Sequence, residues 1–370
     1  MLSFGKNTEV SGVYPMDLRN VLWLPFAAVY RLATGVRNHL YDINHKKSFS
    51  FDVPVVGVGN LNLGGSGKTP AIEYLVKLLY KDYHVVTLSR GYGRQTRGLR
   101  FADMQDNAAT IGDEPFQVYR NFGKWIKVVV GEDRAFAIPH ILHQYPATSV
   151  ILLDDAFQHR SVQPQLNILL TDFERPFYKD FLVPLGRLRE ARKEASRAHL
   201  IVVTKCPEAI NDEVQKEVTG AIGRYAGDIP VFFSTIRYKP PVPFKRTNGL
   251  IHNQVVLLSG IAKPRVFEQY AASKFNVIKH FVYPDHHVFK PAQLKHLRDF
   301  ILKQKEETAL LTTEKDMARL LDSKYGHLLA DLPCFFLPIE MAFCKNGSEF
   351  DNIVRAALKK GSNVGAKEVE

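Results

Sequence analysis

The residues best suited to chemistry lie in a glycine-rich segment between two predicted elements near residue 60. An apolar run from Val53 to Val58 predicts a buried strand, and Pro70 opens a segment whose apolar residues have helical spacing. Glycines at such a turn allow consecutive backbone N–H groups to converge on anionic oxygens at a helix N-terminus. The pattern therefore predicts a phosphate-binding loop made of Asn62, Leu63, Gly64, Gly65, Ser66, Gly67, Lys68 and Thr69.

Two side chains of this loop have specific roles in the strict motif G-x-x-x-x-G-K-[ST]. Lys68 is predicted to reach the outer phosphates of a nucleotide, and the Thr69 hydroxyl to bind Mg²⁺. Asn62 stands where the motif has its first glycine. Because Asn tolerates the left-handed backbone conformation best after Gly, the turn remains compatible with this sequence. The alternative is a surface turn that happens to carry a lysine.

A second predicted strand ends in two carboxylates. Four apolar residues, 150–153, precede Asp154 and Asp155, which is typical of a buried parallel strand whose carboxyl end faces a ligand. In P-loop enzymes an Asp at this place completes the Mg²⁺ shell. Neighbouring strand residues point to opposite sides, so we expect only one of the pair to bind the metal directly. Gln158 and His159 follow within one turn and could line the same cleft, whereas the alternative is an ordinary strand end.

Three further segments are polar and have competing interpretations. Asp113 precedes Pro115 where a helix is predicted to begin, which is a routine N-cap position. The segment 283–287, with two adjacent His, follows a predicted strand; an acid–base or hydrogen-bonding role is favoured over metal binding, and a polar loop is the alternative. The basic run 186–193 is either a solvated helix face or a surface that receives a phosphorylated or membrane-bound substrate.

Composition limits the class of protein. The chain has 370 residues, of which 45% are hydrophobic and 24% charged, as expected for a folded protein of one or two domains. Cys206, Cys334 and Cys344 are far apart, so neither a disulfide framework nor a zinc site is indicated. The net charge of +11 favours anionic partners such as nucleotides, nucleic acid, phosphorylated sugars or an anionic membrane, without choosing among them.

The order of predicted elements indicates an α/β fold: a P-loop NTPase-type, mostly parallel sheet flanked by helices, with a second, smaller α/β domain. The Pro-rich segment 239–243 is a stiff connector and the best candidate for a boundary. We therefore predict five divisions: residues 1–45 as an amphipathic membrane-interface segment, 46–238 as the P-loop core domain, 239–250 as a hinge, 251–358 as the smaller C-terminal α/β domain, and 359–370 as a disordered tail.

Residues 18–41 predict an N-terminal amphipathic helix. Its polar side is basic, and its longest uncharged apolar run, Val21 to Tyr30, is about half of what a membrane span needs and contains Pro25. No cleavable signal peptide is indicated. The helix is predicted either to lie in a membrane interface or to pack its apolar side on the protein's own sheet, and this stretch alone does not decide between them.

With these segments in place, the chain resembles the tetraacyldisaccharide 4′-kinases of lipid A synthesis. The resemblance implies ATP and Mg²⁺ as cofactors and transfer of the γ-phosphoryl group to the 4′-hydroxyl of a tetraacyl glucosamine disaccharide 1-phosphate, giving lipid IVA. It also implies peripheral attachment to an anionic membrane surface, the cytoplasmic face of the bacterial inner membrane. The matching segments, in the family's order, are VGNLNLGGSGKTP, SRGYGR, GDEP, EDR, LLDDAFQHR, GRLRE, YPDHH and LLTTEKD.

The resemblance also implies residue roles. Asp113 is similar to the family's proposed base, with His286 as its partner from the second domain, which implies closure about a hinge near 238–243. Lys68 and the loop bind ATP, while Thr69, Asp155 and Asp154 are the expected metal residues. Glu114, Arg134, Gln158, His159, Arg189 and Glu190 are implied for the substrate and metal surroundings.

Two other functions fit parts of the sequence. One is a soluble P-loop kinase of a small phosphorylated metabolite, which would leave the N-terminal helix without a membrane role. The other is a nucleic-acid-binding NTPase, which needs a basic groove with stacking aromatics or a helicase-type second motif. The sequence shows neither of these, so we expect no nucleic acid and no obligate protein partner.

Overall fold

The computed structural model describes residues 22–245, 251–322 and 325–362. The helices within these ranges are α1 (Leu24–Asp42), α2 (Lys68–Leu79), α3 (Ala108–Ile111), α4 (Asp113–Phe122), α5 (Arg134–Gln144), α6 (Asp212–Ala226), α7 (Pro264–Ala272), α8 (Pro291–Leu302), α9 (Glu314–Asp322) and α10 (Gly347–Ser362). The strands are β1 (Val55–Asn60), β2 (Val85–Ser89), β3 (Arg100–Phe101), β4 (Lys127–Val130), β5 (Val150–Asp154), β6 (Leu166–Asp172), β7 (Leu200–Thr204), β8 (Val231–Tyr238), β9 (Val242–Lys245), β10 (Gln254–Ser259), β11 (Asn276–Val282), β12 (Thr308–Thr313), β13 (Cys334–Leu337) and β14 (Ile339–Phe343).

The larger sheet has nine strands in the order β14-β8-β7-β6-β1-β5-β2-β4-β3, parallel except at its two edges. Its central strands are buried along their whole length, since α2, α4 and α10 cover one face and α5 and α6 the other. This is why they are nearly continuous apolar runs in the sequence. The carboxyl ends of β1 and β5 lie side by side, and this edge is where open α/β sheets bind ligands.

The smaller sheet has five strands in the order β11-β10-β12-β13-β9, of which only β9 runs antiparallel to its neighbour. Apolar clusters lie on both faces: α8 and α9 pack on one and α7 on the other. The second α/β domain expected from the sequence is therefore present. Its strand β12 leads directly into α9, which packs against α4 of the larger domain.

The chain returns to the larger sheet, which corrects the predicted domain boundary at residue 358. Strand β14 pairs with β8, with Ile339 opposite Tyr238, and α10 buries Phe350 and Val354 in the core beneath α2. The smaller domain is thus residues 242–337, and the predicted hinge 239–250 contains β9. Local sequence patterns do not reveal which sheet a strand joins, because that depends on the free edge it pairs with.

The C-terminal end of the chain also differs from the prediction. Helix α10 continues to Ser362, so the predicted tail from residue 359 begins inside a helix, and residues 363–370 lie outside the described ranges.

Two segments of the chain connect the domains, one before β9 and one after β13. They lie side by side, since the Lys239 N–H donates to the Pro338 carbonyl at 2.9 Å. The predicted hinge therefore contains one of two paired connections and is not a single linker.

Helix α1 packs on the protein through its polar side and leaves its apolar side exposed. The buried side chain of Asn38 donates to Glu190 Oε1 at 3.0 Å, and the Tyr30 hydroxyl donates to the Arg189 carbonyl at 2.9 Å. The exposed apolar side chains are Leu22, Trp23, Leu24, Phe26, Val29, Leu32 and Val36, several of them more than 60% accessible.

The alternative in which α1 packs its apolar side on the protein's own sheet is therefore wrong, because buried polar partners hold the helix in the opposite orientation. On the polar side, the basic residue Arg37 faces the carboxylate of Glu190. The first residues of the predicted helix, 18–21, lie outside the described ranges. Within those ranges, no helix combines the length and hydropathy needed to cross a bilayer.

Candidate active site

The loop between β1 and α2 has the geometry expected of a phosphate-binding turn. Gly64 and Gly67 have φ of +107° and +84°, which side chains rarely tolerate, and α2 begins at Lys68. Asn62 is not among the left-handed residues, so the conformational reason for accepting it in the motif was wrong. Its side-chain amide instead donates to Asp180 Oδ2 at 2.9 Å, and its backbone pairs with Leu188.

Lys68 and Asp155 meet at the carboxyl ends of β1 and β5. The Nζ of Lys68 is 3.5 Å from Asp155 Oδ1 and 3.3 Å from Asn60 Oδ1. Both Asp155 oxygens also accept from the Arg189 guanidinium, at 2.8 and 3.0 Å. Burial would raise the pKa of Asp155, but Arg189 and Lys68 together hold that pKa well below its usual range. Asp155 is thus an ionised partner of two cations.

Asp154 has a different environment from its neighbour. Its carboxylate is buried, and Oδ1 has no hydrogen-bond partner among the described residues. Burial, followed by the negative charge of Glu114, raises the pKa of Asp154 to about 7. Burial would raise the pKa of Glu114, but the neighbouring Lys315, Lys68 and Thr69 side chains lower it overall. Two carboxylates therefore lie near one another beside the phosphate-binding loop.

Asp113 receives side chains from the smaller domain. His286 Nδ1 lies 3.1 Å from Asp113 Oδ2, and the Arg319 guanidinium donates to the same oxygen at 2.6 and 2.9 Å. Burial would raise the pKa of Asp113, but the hydrogen bond with His286 and the charge of Arg319 lower it overall. The structure thus brings the predicted pair Asp113 and His286 together across the domain boundary.

Sequence reasoning missed two functional candidates on α9. Lys315 Nζ donates to Glu114 Oε1 at 2.6 Å, and Arg319 contacts Asp113 as described above. The segment LLTTEKD carries part of the family resemblance, but by itself it predicts no role for its lysine. A usable signal existed, because Lys315 and Arg319 are four residues apart on one helical face, directly after a strand that ends at the ligand-binding edge.

Arg134 and Glu190, which the family resemblance implies for the substrate and metal surroundings, are buried and do not line an open cleft. Arg134 is fully buried and donates to the carbonyls of Gly131, Glu132 and Asp154. Burial lowers its pKa to about 10. Glu190, only 1% accessible, accepts from Asn38, Gln158 and Arg197. Both residues support the site from behind because their polar atoms are already engaged in the interior.

The remaining predicted residues surround the carboxyl end of β1. Gln158 donates to the Asn60 carbonyl at 2.9 Å, and Arg189 donates to the same carbonyl at 3.0 Å while it binds Asp155. Burial, followed by the positive charge of Arg134, lowers the pKa of His159 to about 4, so its imidazole is neutral at physiological pH. The polar side of α1 packs against this group, since Arg37 donates to the Gln158 carbonyl and the Tyr30 hydroxyl donates to the Arg189 carbonyl.

A lysine on a glycine-rich loop, a neighbouring hydroxyl and carboxylates at the carboxyl end of a parallel sheet are the components of a phosphoryl-transfer site. The carboxylate held by His286 and Arg319 adds a group that could accept a proton. Fold and site together define a P-loop phosphotransferase.

Comparison with known proteins identifies the family within that class. The model of the family described as "Tetraacyldisaccharide-1-P 4'-kinase" matches residues 19–359, and the chain belongs to this family. A tetraacyldisaccharide 4′-kinase of Flavobacterium johnsoniae is 40% identical over 349 residues, covering 93% of this chain and 99% of that protein. Another, from Bacteroides thetaiotaomicron, is 38% identical, covering 88% of this chain and 89% of that protein.

A solved structure supports the same assignment. The apo form of LpxK from Aquifex aeolicus in complex with ATP superposes with a TM-score of 0.71 at 27% identity, covering 92% of this chain and all of that one. The family, the α/β fold class and the kinase function in lipid A synthesis expected from the sequence are thereby confirmed.

Proposed function

We propose that this chain transfers the γ-phosphoryl group of ATP to the 4′-hydroxyl of a tetraacyl disaccharide 1-phosphate, giving lipid IVA, in the cleft where α4 and α9 meet. The observation that carries the proposal is the contact of Asp113 with His286 and Arg319 beside the phosphate-binding loop. This contact supports the proposal because a candidate base of one domain would be oriented by the other domain, near the residues that would bind ATP.

Asp113 would accept the proton of the attacking hydroxyl. All three contacts from His286 and Arg319 go to Oδ2, and no described residue donates a hydrogen bond to Oδ1, which is therefore available to a substrate. As the bond from the sugar oxygen to phosphorus forms and the bond to the ADP oxygen breaks, the proton passes to Asp113. Because the transition state is loose, positioning and charge neutralisation account for most of the remaining catalysis.

ATP and Mg²⁺ fit the polar atoms on the other side of the site. Lys68, the loop amides and the buried Ser66 hydroxyl, which lacks a partner among the described residues, suit phosphate oxygens. Asp154, Glu114 and Thr69 would hold Mg²⁺, which when bound neutralises phosphate charge. No group of three or more His, Cys, Asp or Glu suited to a metal occurs in the described ranges; Mg²⁺ usually takes one or two carboxylates together with phosphates.

Of the two adjacent carboxylates, Asp154 and not Asp155 would be the direct metal ligand. Asp155 already binds Arg189 with both oxygens and pairs with Lys68, so its charge is compensated, whereas Oδ1 of Asp154 is buried without a partner. A buried carboxylate oxygen without a partner is costly unless a ligand satisfies it. Asp155 would then keep Lys68 and Arg189 in place.

The exposed apolar side of α1 would contact the membrane surface. Helices with such a side bind in the interface of a bilayer, and the net charge of +11 favours anionic lipids. The polar side of the same helix contacts Arg189 and Glu190 behind the site. An acylated substrate could thus reach the cleft from the cytoplasmic face of the inner membrane, with the enzyme attached peripherally.

Radiolabelled ATP with a tetraacyl disaccharide 1-phosphate in mixed micelles tests the function directly. We expect label to enter the lipid with the wild-type chain, and Lys68→Ala to reduce this by about 10³-fold while the melting temperature is retained, since Lys68 serves the phosphates. Lys345→Ala is a matched control, because Lys345 pairs with Asp212 in an exposed bridge. Transfer to small sugar phosphates but not to the lipid would overturn the proposal in favour of a metabolite kinase.

A further inference from the structure

Lys315 carries an ammonium group from the smaller domain into the phosphate site of the larger one. It is the second residue of α9, and its Nζ is 2.6 Å from Glu114 Oε1 across the domain boundary. We propose that Lys315 is a catalytic residue that binds the γ-phosphoryl group of ATP during transfer, an inference that rests on the function proposed above.

The position of this ammonium is defined by the neighbours of Glu114. The same carboxylate lies near the Lys68 ammonium and the Thr69 side chain of the loop. Lys68 comes from the loop of the larger sheet, whereas Lys315 comes from the carboxyl end of β12 in the smaller sheet. Two ammonium groups therefore approach one carboxylate from two domains, next to the hydroxyl of the phosphate-binding loop.

An ion pair that only joins the two domains would be a simpler role, but other contacts already serve that purpose. Arg319 donates to Asp113 at 2.6 Å, and the Asn121 amide, on α4, donates to Glu314 at 2.7 Å. These contacts hold α9 on α4 at both sides of Lys315. Partly buried ion pairs contribute little net stability because desolvation offsets their attraction. The placement of a further cation here is better explained by a ligand than by docking.

A phosphate would be a stronger partner for Lys315 than the carboxylate. Glu114 is one of the two carboxylates proposed to bind Mg²⁺. When Mg²⁺ and the nucleotide are bound, the metal ion would compensate part of its negative charge, and Glu114 would attract Lys315 less strongly. The side chain of Lys315 is 32% accessible, and the flexible four-carbon stem of a lysine lets its ammonium follow a moving anion. The triphosphate brings several negative oxygens to this place, and Lys315 would then pair with those of the γ-phosphoryl group.

The chemical contribution would be electrostatic. The bond from the sugar oxygen to phosphorus forms, the bond to the ADP oxygen breaks, and the proton goes to Asp113, so Lys315 remains protonated throughout. Its charge would add to that of Lys68 in stabilising the equatorial oxygens of the transferring group. Cations placed in this way in phosphoryl-transfer enzymes act mainly on the transition state and therefore on kcat.

The test replaces Lys315 by Met, which keeps the length but removes the charge, and by Arg, which keeps the charge. We expect Lys315→Met to lower kcat by about 10²-fold or more, and Lys315→Arg to recover part of that loss. Binding of a non-hydrolysable ATP analogue should weaken while binding of ADP stays the same. Lys263→Met is the matched control: Lys263 makes another bridge between the domains, to Glu174 at 2.6 Å, and its loss should change kcat by less than about fivefold.

A second measurement needs no variant. In the wild-type chain, acetylation of Lys315 followed by mass spectrometry should be suppressed by the ATP analogue and not by ADP, with Lys263 unchanged. Equal labelling with both nucleotides, a near-wild-type rate for Lys315→Met, or an equal loss in Lys263→Met would overturn the inference. A wild-type chain that fails to label the lipid would overturn the proposed function instead, and the acetylation pattern would still decide whether Lys315 meets a γ-phosphate.

Discussion

The carboxylate of Asp113 and the guanidinium of Arg319 belong to different domains and form a two-point contact, with Nε and Nη2 of Arg319 at 2.9 and 2.6 Å from Asp113 Oδ2. Arg319 is itself fixed, since Nη1 donates to the Gly260 carbonyl and to Asp316, each at 2.8 Å. The proposed base is therefore held by the same contact that docks the smaller domain, and loss of docking would also misplace the base.

The first prediction concerns the pair Asp113 and His286. Each Ala substitution should lower kcat by about 10² or more with ATP binding little changed, because both residues serve a single proton transfer. Two residues that act as one unit are strongly non-additive, so the double variant should lose scarcely more than the worse single one. Steady-state kinetics of the four proteins checks this. If the two losses multiply, the residues act independently; if Asp113→Ala is fully active, Asp113 is only a helix N-terminal residue.

The second prediction is a pH effect of Arg319. The charge of Arg319 is one of the influences that lower the pKa of Asp113 below its usual value. Arg319→Gln should raise that pKa, and because the base works only when deprotonated, the acid limb of the kcat profile should move to higher pH. At pH 8, where Asp113 is still ionised, the variant should be slower by about tenfold through poorer orientation of the carboxylate.

Arg298→Gln is the control for this profile. Arg298 binds Asp331 within the smaller domain, at 2.5 Å, and has no contact with Asp113. Its removal should leave the acid limb in place. If the acid limb of the kcat profile does not move in Arg319→Gln, the ionisation of Asp113 does not determine that limb. The assignment of Asp113 as the base would then be wrong.

The third prediction concerns the exposed side of α1. Phe26 and Leu32 are 62% and 68% accessible, and burying both in a bilayer interface should contribute several kcal/mol, on the order of 1.5–3 each. Replacing both by Gln should therefore weaken binding to anionic vesicles by tenfold or more, as measured by flotation, with ATP binding unchanged. Leu302→Gln, an exposed apolar residue on α8, is the control.

Substitution is a sharper test here than deletion of residues 1–42. Deletion would also remove Asn38 and Tyr30, whose hydrogen bonds reach Glu190 and the Arg189 carbonyl, and would therefore disturb the site itself. Vesicle binding that is identical in the wild type and the Phe26/Leu32 double variant would exclude α1 as the membrane-binding element.

The fourth prediction is a pH dependence of stability from Glu73, a buried residue of α2. Burial, followed by the charge of Glu314, raises its pKa to about 7 from a usual 4.5. Between those values the folded protein holds a proton that the unfolded chain releases, so stability is present at low pH and is lost as pH rises through 7. Glu73→Gln should remove this loss and stabilise the protein at pH 8 by about 1–3 kcal/mol.

Melting temperatures at pH 5.5 and pH 8 measure this effect. Gln can still accept hydrogen bonds from Gln117 and Asn121, so the packing of α2 should be retained. Glu349→Gln, at an exposed position, serves as control. A Glu73→Gln variant that loses stability between the two pH values as steeply as the wild type would contradict the prediction.

The sequence alone was sufficient for the parts of the site that lie within one strand–turn–helix segment. The loop from Asn62 to Thr69 was predicted because glycine spacing and the flanking apolar runs are local features. The strand ending in Asp154 and Asp155 was predicted for the same reason. The resemblance to a family, which rests on short matching segments, added the pairing of Asp113 with His286. These two residues are far apart in the chain, but their side chains lie 3.1 Å apart in the structure.

Other features depend on which surfaces face one another, and the tertiary structure decided them. The proposal of Asp154 and not Asp155 as the metal ligand rests on Arg189, which lies 34 residues beyond Asp155 in sequence and binds both of its oxygens. The return of β14 to the larger sheet depends on the free edge of β8. The outward apolar side of α1 follows from its polar contacts with buried Glu190, and the roles proposed for Lys315 and Arg319 rest on the packing of α9 on α4. Each is set by a distant partner, and hydrophobic periodicity within a segment does not encode the identity of that partner.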